Sequence, residues 1–210
     1  MNSQRRTVIA ATLALAPLAV LRPFTALGQQ NYIEIKPPLP VEANGKIEVV
    51  ELFWYGCIHC FNLEPGLEGW LKKLPRDVEF RRVPAVFNRQ MELDALIFYS
   101  FEALGVLPKV HRSFFDAIFK DHLQRTDKEA MNQWLEKNGV EVKKFDDALK
   151  SFGVQSKTRR AKQLTVDYKI DGTPAMAVNG RYTVSAEQGR TREGMLETVD
   201  FIVGQLRKVK

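Results

Sequence analysis

Two cysteines, Cys57 and Cys60, are the residues whose type and spacing point most directly to chemistry in this 210-residue chain, which contains no other cysteine. A Cys-x-x-Cys pair at the start of a helix brings two sulfurs within bonding reach, and the helix leaves the first sulfur more exposed than the second. We therefore predict a redox-active dithiol that closes to a Cys57–Cys60 disulfide, with Cys57 as the attacking thiol and Cys60 as the resolving thiol.

The residues around Cys57 indicate the direction of the reaction. Unpaired N–H groups at a helix start favour an anion, and His59 can add a positive charge or a donor beside the sulfur. Each pKa unit of thiolate stabilisation favours the reduced dithiol by about 1.4 kcal/mol, or roughly 30 mV for a two-electron couple. The sequence therefore predicts an oxidant, whereas a proline in place of His59 would indicate a reductant.

Three other uses of a close cysteine pair explain the sequence less well. A structural disulfide across so short a loop would restrain little chain entropy. A zinc site needs about four ligands, and the nearest candidates, His111 and His122, lie far along the chain. Covalent haem requires a histidine directly after the second cysteine, where Phe61 stands. We expect thiol–disulfide exchange without a metal or other cofactor.

An acid and a proline are further candidates for the site. Glu51 interrupts a run of buried residue types six positions before Cys57, and it could exchange a proton with Cys60. The alternative is an acid at a sheet edge, in water. Thr173-Pro174 precedes a predicted strand, where a proline is best tolerated if that edge faces a ligand; a cis bond is one option and a simple turn the other.

The elements that must position these residues begin with a strand-helix-strand unit. Residues 46–53 form a β-branched and aromatic run that predicts a buried strand, and the dithiol follows directly. Apolar residues then recur at helical spacing until Pro75, and residues 78–83 predict a second strand. This order indicates a βαβ unit with two parallel strands.

The next eighty residues contain helical segments and no convincing strand. Glycines at 105, 139 and 153 stand where helices should end, and Thr126 with Glu129 predicts a capping box. Strands at 175–178 and 182–184 then flank Asn179-Gly180, a strong hairpin signal, before a final amphipathic helix. The predicted helices of the middle segment are 90–104, 108–119, 128–138, 142–152 and 155–168.

The pattern predicts an α/β fold with an inserted all-helical domain. The α/β domain comprises residues 29–87 and 168–210, and the helical insertion comprises residues 88–167. Residues 1–28 are excluded from the fold because Arg5-Arg6, an apolar run and the small residues Ala26 and Gly28 predict a signal peptide that is removed near Gly28. The alternative is a retained membrane anchor, and the export route stays open between the general and the twin-arginine pathway.

The charge of the chain is mildly basic. Its net charge is +6, and removal of the first 28 residues, which carry three arginines and no acids, lowers it to +3. This gives little support to nucleic-acid binding, which requires a clustered basic face.

Residues 51–56, the dithiol, the helical insertion and Gly172-Thr173-Pro174-Ala175 together resemble the DsbA family of periplasmic disulfide oxidoreductases, over essentially the whole mature sequence. The resemblance implies a thioredoxin-like fold. It also implies that His59 is the main stabiliser of the thiolate, that Glu51 is a buried acid, and that Pro174 is a cis-proline facing the disulfide.

The substrate surface implied by the resemblance comprises Ile58, Thr173 and Pro174, with Thr173 offering its backbone to an extended substrate chain. The best-known members have proline at the position of Ile58, which bears on the redox potential and not on the reaction. Thr173 likewise replaces the valine of some members, which bears on the release of mixed disulfides.

The function implied is donation of the disulfide to unfolded exported proteins with free cysteines, followed by reoxidation through a DsbB-like, quinone-linked membrane oxidase. We expect a periplasmic monomer with no nucleic-acid partner. One alternative is a reductase or isomerase, but related isomerases add an N-terminal dimerisation domain, and only residues 29–56 precede Cys57. Another is a non-catalytic peptide-binding module that uses a hydrophobic surface around Trp54, Tyr55 and Phe61.

Overall fold

The structure is a computed structural model that describes residues 31–208. The predicted signal peptide and its cleavage site lie outside this range. Within it, no helix combines the length and the apolar character needed to cross a membrane. The strands are β1 (Ile33–Glu34), β2 (Ile47–Phe53), β3 (Val78–Pro84), β4 (Ala175–Val178) and β5 (Tyr182–Ser185). The helices are α1 (Ile58–Leu71), α2 (Arg89–Ala103), α3 (Leu107–Phe119), α4 (Lys128–Lys137), α5 (Val142–Lys150), α6 (Phe152–Asp167) and α7 (Arg192–Lys208).

One mixed sheet carries the fold, with strand order β1-β5-β4-β2-β3. Strand β2 lies inside this sheet, parallel to β3 and antiparallel to β4, and all seven of its residues are buried. The predicted βαβ unit is therefore confirmed, with α1 as its crossover. The two-residue strand β1 pairs with β5 and was not predicted from the sequence.

Helices cover both faces of the sheet. Alternate residues of β2 point to opposite faces, so Val49 packs in one core cluster with residues of α1 and α7, whereas Val50 packs in the other with residues of the middle helices. This double cover explains why β2 is apolar except for its two buried acids, Glu48 and Glu51.

Five helices, α2 to α6, lie between β3 and β4, and this segment contains no strand, as predicted. Their bounds differ from the predicted ones at the junction of α5 and α6. Here α5 ends at Lys150 and Ser151 caps α6 through its hydroxyl, so Gly153 lies inside α6 and its prediction as a helix end is wrong. Gly105 and Gly139 do follow helix ends, with φ of 69° and 73°.

The predicted capping box of Thr126 and Glu129 is also wrong. Asp127 caps α4, and its carboxylate accepts hydrogen bonds from the backbone N–H groups of Glu129 at 2.9 Å and Ala130 at 3.1 Å. The helix therefore begins one residue later than the box implied, and a carboxylate at the cap position satisfies two of its free N–H groups.

The hairpin after the helical segment is confirmed. Asn179 and Gly180 both have positive φ, 52° and 66°, as a two-residue turn with the right-handed twist of the strands requires. The backbone N–H of Leu39 donates to the carbonyl of Gly180 at 2.8 Å, so the proline-rich segment before β2 is fixed to the hairpin.

Candidate active site

The dithiol lies at the start of α1, directly after the central strand. Cys57 occupies the N-cap position, and its backbone N–H donates to the carbonyl of Trp54 at 3.0 Å, which closes the turn from β2. Its sulfur accepts a hydrogen bond from the backbone N–H of Cys60 at 3.4 Å. A sulfur atom thus occupies the position in which serine or aspartate oxygen usually caps a helix.

The loop before β4 meets the dithiol from the other side. The Thr173–Pro174 peptide bond is cis, and the Cys57 sulfur lies 3.2 Å from the carbonyl oxygen of Thr173, to which it donates when protonated. Pro174 itself is buried. The option of a cis bond raised by the sequence is therefore confirmed, and the loop lies against the first sulfur.

The two sulfurs have opposite acid strengths. The pKa of Cys57 is lowered to about 5, chiefly because the Cys60 thiol donates to its thiolate, with further help from the Thr173 side chain and from the backbone N–H groups of Cys60 and His59. Burial raises the pKa of Cys60 well above its ordinary value, and the neighbouring Cys57 and Glu51 add to the increase. Cys57 is 8% exposed and Cys60 is fully buried. The predicted asymmetry between an accessible thiolate and a protected thiol fits this geometry.

His59 and Ile58 lie in the first turn of α1, and both side chains are exposed. The contribution of His59 that the structure describes comes from its backbone N–H, which helps to lower the pKa of Cys57. The prediction that the imidazole is the main stabiliser, and the prediction that Ile58 contacts substrate, stay predictions.

Glu51 is a buried acid in the middle of the sheet. It is fully buried on β2, which has neighbours on both sides, so the alternative of an acid at a wet sheet edge is wrong. Its carboxylate lies 3.0 Å from Nε of Arg82, but neither carboxyl oxygen makes a well-oriented hydrogen bond. Burial raises the pKa of Glu51 to about 8, and the attraction of Arg82 only partly opposes this.

Polar groups extend the site away from the sulfurs, and three of them, Arg82, Glu64 and His111, were not assigned to it from the sequence. Arg82 lies opposite Glu51 in the register of β2 and β3, and it also contacts Glu64 of α1 at 3.2 Å. His111 of α3 connects Glu64 with the hydroxyl of Tyr55. The adjacent arginines at 81 and 82, in a strand predicted to lie beside that of Glu51, were the one available signal. We call Glu51, Glu64, Arg82 and His111 the buried polar cluster.

The hydrophobic surface predicted around Trp54, Tyr55 and Phe61 is wrong for Tyr55, which is 1% exposed and packs against Phe53 and Phe114. Trp54 is partly buried, and its indole N–H donates to Asp94 at 2.6 Å. Phe61 is also partly buried.

Residues 31–208 contain no group of three or more His, Cys, Asp or Glu side chains that could hold a metal ion. His111, considered above as a distant zinc ligand, has both ring nitrogens engaged by protein groups.

Residues 33–197 match the family model of the DSBA-like thioredoxin domain. The chain belongs to the DsbA family. Curated DsbA relatives include the thiol:disulfide interchange protein DsbA of Azotobacter vinelandii, 42% identical over 88% of this chain and 86% of that protein. The protein of the same name from Bordetella parapertussis is 41% identical over 99% of this chain and all of its own length.

Solved DsbA structures agree with the fold. DsbA of Pseudomonas aeruginosa superimposes with a TM-score of 0.81 at 38% identity, covering 86% of this chain and 94% of that one. The oxidoreductase DsbA of Xylella fastidiosa gives 0.78 at 30% identity, over 84% and 95% of the two chains. The predicted α/β, thioredoxin-like fold with a helical insertion is thus confirmed, and the chain is a thiol:disulfide oxidoreductase.

Proposed function

We propose that this oxidoreductase works as a dithiol oxidase: it donates a Cys57–Cys60 disulfide to unfolded exported proteins that carry free cysteines. The observation that supports this direction is the contrast between the sulfurs, since the pKa of Cys57 is lowered to about 5 while that of Cys60 is raised. A stabilised Cys57 thiolate favours the reduced form of the enzyme and so favours passing the disulfide to a substrate.

The exchange proceeds in two displacements. A substrate thiolate attacks the sulfur of Cys57, the Cys57–Cys60 bond breaks, and Cys60 leaves with the electron pair and takes up a proton. A second substrate thiolate then attacks the substrate sulfur of the mixed disulfide, and Cys57 leaves as its stabilised thiolate. The substrate dithiol loses two electrons to become a disulfide, and the enzyme disulfide gains them to become a dithiol.

Glu51 is the proton donor and acceptor for Cys60 in this proposal. Because its pKa is raised to about 8, the carboxyl is largely protonated at neutral pH and can supply a proton to a thiolate formed in the interior. Cys60 has no exposed surface, so its thiolate needs a proton donor inside the protein rather than bulk water.

Ile58, Thr173 and Pro174 form the substrate surface in this proposal. Ile58 is 44% exposed beside the dithiol and offers an apolar contact, while the Thr173 carbonyl lies at the reactive sulfur. A substrate segment in extended form could pair with the backbone of Thr173 while its cysteine reaches Cys57.

The cellular setting belongs to the same proposal. Residues 1–28 act as a signal peptide that directs the chain to the periplasm, residues 29–87 and 168–210 form the catalytic domain, and residues 88–167 form the helical domain. The mature protein acts as a monomer without a metal or organic cofactor. A DsbB-like, quinone-linked membrane oxidase accepts the two electrons and restores the disulfide.

The experiment that tests the direction is the equilibrium of the dithiol with glutathione. We expect the Cys57–Cys60 disulfide to be reduced at ratios of reduced to oxidised glutathione that leave a structural disulfide intact. A disulfide that resists reduction at those ratios would indicate a reductase. Oxidation of reduced ribonuclease by the same preparation separates an oxidase from a binding module, which would bind the unfolded chain without oxidising it.

A further inference from the structure

His111 belongs to the helical segment but reaches the buried polar cluster beside the dithiol. It lies on α3 and is only 7% exposed. Its ring lies among those of Phe53, Phe98 and Phe115, with centroids 5.4, 6.0 and 5.3 Å away. Since these rings offer no hydrogen-bonding group to its edges, both ring nitrogens need polar partners from elsewhere in the protein.

Those partners are the hydroxyl of Tyr55 and the carboxylate of Glu64. Nδ1 of His111 lies 2.8 Å from the Tyr55 hydroxyl oxygen, and Nε2 lies 3.4 Å from Oε1 of Glu64. A neutral imidazole has one acceptor and one donor, so the hydroxyl donates to Nδ1 and Nε2–H donates to the carboxylate. Burial lowers the pKa of His111 despite the attraction of Glu64, which agrees with a neutral ring.

Two buried carboxyl groups share one guanidinium in the cluster. Nη2 of Arg82 lies 3.3 and 3.2 Å from the two oxygens of Glu64, while Nε of the same side chain lies 3.0 Å from Glu51. Glu64 is 1% exposed and Glu51 is fully buried. One guanidinium carries a single positive charge, so it cannot stabilise both carboxyl groups as buried anions. At neutral pH the pair therefore holds one proton between its two members.

The two carboxyl groups are not equally good anions. Glu64 receives the hydrogen bonds of Arg82 and in addition faces the Nε2–H of His111, whereas neither oxygen of Glu51 has a well-oriented donor. Although burial alone would raise it, the pKa of Glu64 is lowered by His111 and Arg82 together. The proton of the pair thus resides on Glu51.

We propose that His111 is a positioning residue that assigns this proton to Glu51, the carboxyl that interacts with the cysteines, by keeping Glu64 ionised through its Nε2–H. The inference rests on the proposed function, because a protonated Glu51 is useful where Cys60 must gain and lose a proton. It gives the helical segment a part in the proton transfer, which His111 exerts through Glu64.

The charged and titratable groups around this pair come from several elements. Opposite Glu51 on the β4 side stands Met176, which carries no charge. Within residues 31–208, His111 is the one partner of either carboxyl that the helical segment supplies. Outside the four residues Glu51, Glu64, His111 and Tyr55, the groups that interact with one of them through charge or hydrogen bonds include Cys57, Cys60, Arg82, Glu68 and Asp94.

The test is an infrared titration of protonated carboxyl groups in the reduced full-length mature chain, with Glu51→Gln used to assign the Glu51 band. In the wild type we expect the band to disappear with a midpoint near pH 8. In His111→Leu the proton spreads to Glu64, and the Glu51 midpoint should fall by about one pH unit or more. His111→Gln, whose amide N–H can replace Nε2–H, should keep the wild-type midpoint.

Two outcomes would overturn the proposal: an unchanged midpoint in folded His111→Leu, or equal shifts in the Leu and Gln variants. If His111→Leu does not fold, His111→Asn replaces it, since its shorter amide falls short of Glu64 and should shift the midpoint as Leu would. A second check uses Glu64→Gln, which removes the competing carboxyl. In that background His111→Leu should have no further effect, and a persisting shift would contradict the mechanism.

The glutathione equilibrium of the same samples separates this inference from the proposed function. A wild-type disulfide that resists glutathione would refute the oxidase, whatever the carboxyl band does. An oxidising wild type whose carboxyl midpoint ignores His111→Leu would refute only the role of His111.

Discussion

The start of α1 and the buried polar cluster both hold negative charge, but they do so by different means. At the start of α1, the thiolate of Cys57 receives donors that carry no net charge: the Cys60 thiol, the Thr173 side chain and two backbone N–H groups. In the cluster, Glu64 depends on individual side chains, Arg82 and His111. The part of the Cys57 stabilisation that comes from backbone N–H groups should survive most side-chain changes, whereas stabilisation by the cluster should fail when one member is replaced.

The largest expected effect tests the cluster. Arg82→Met leaves the Glu64 charge buried without its cation, and we expect a loss of about 3–5 kcal/mol in the free energy of unfolding at pH 7, measured by urea denaturation. The matched control is Lys46→Met, which removes the surface ion pair between Lys46, directly before β2, and Glu79 of β3, and should cost less than about 1 kcal/mol. Equal losses in the two variants would contradict the comparison.

The second prediction concerns pH, where the two regions should act with opposite signs. The folded-state pKa of Cys57 is lowered from 9.0 to about 5, so its contribution to the stability of the reduced protein is fully present above pH 9 and is lost as the pH falls towards 5. The folded-state pKa of Glu51 is raised from 4.5 to about 8, so its contribution is fully present below pH 4.5 and is lost as the pH rises towards 8.

Single replacements should separate these contributions. Between pH 5 and 8, Glu51→Gln should make the unfolding free energy of the reduced protein rise more steeply with pH than in the wild type, by at most about 1.4 kcal/mol per pH unit. Cys57→Ser should make it rise less steeply or fall. Parallel profiles for wild type and both variants, measured by urea denaturation in a series of buffers, would show that neither group is perturbed as described.

The third prediction separates the backbone of residue 59 from its side chain. His59→Pro removes both the imidazole and the N–H that faces the Cys57 sulfur, while His59→Gln removes only the imidazole. If the backbone is the larger contributor, Pro should raise the pKa of Cys57 by about one unit and Gln by clearly less, as followed by thiolate absorbance. Equal shifts of the Cys57 pKa in the two variants would indicate that the His59 imidazole is the main stabiliser, as the family resemblance implies.

The smallest expected effect concerns the start of α4, where the N-cap is Asp127 rather than a cysteine. Asp127→Ala should destabilise the protein by about 1 kcal/mol, because two N–H groups of α4 lose their acceptor. Thr126→Ala is the matched control and should change the unfolding free energy little. A larger loss of unfolding free energy in Thr126→Ala than in Asp127→Ala would support the predicted capping box instead.

The parts of the molecule that sequence analysis predicted well depend on neighbours in the chain. The dithiol, the strand before it and the Asn179-Gly180 hairpin each follow from a few adjacent residues. Glu51 stood out because a charge in a buried strand needs an explanation. Thr126 and Asp127 show the limit of this approach, since two adjacent cap residues compete and only the folded chain decides between them.

The buried polar cluster could not be predicted in the same way. Glu64 and Arg82 are 18 residues apart, and Glu64 and His111 are 47 apart, so no periodic pattern in the sequence joins them. His111 looked like a distant metal-ligand candidate, because nothing local showed that α3 buries it among aromatic rings. Arg82 required the register of β2 and β3 as well as their pairing.

The contact between Cys57 and the carbonyl of Thr173 joins residues 116 positions apart, and it has a consequence for biosynthesis. A chain made from its N-terminus carries both sulfurs long before it carries the loop that contacts the first of them. A growing or truncated polypeptide that stops before residue 173 has the cysteine pair without that shielding partner. The reactivity of the finished enzyme should therefore develop late, once the last strands have joined the sheet.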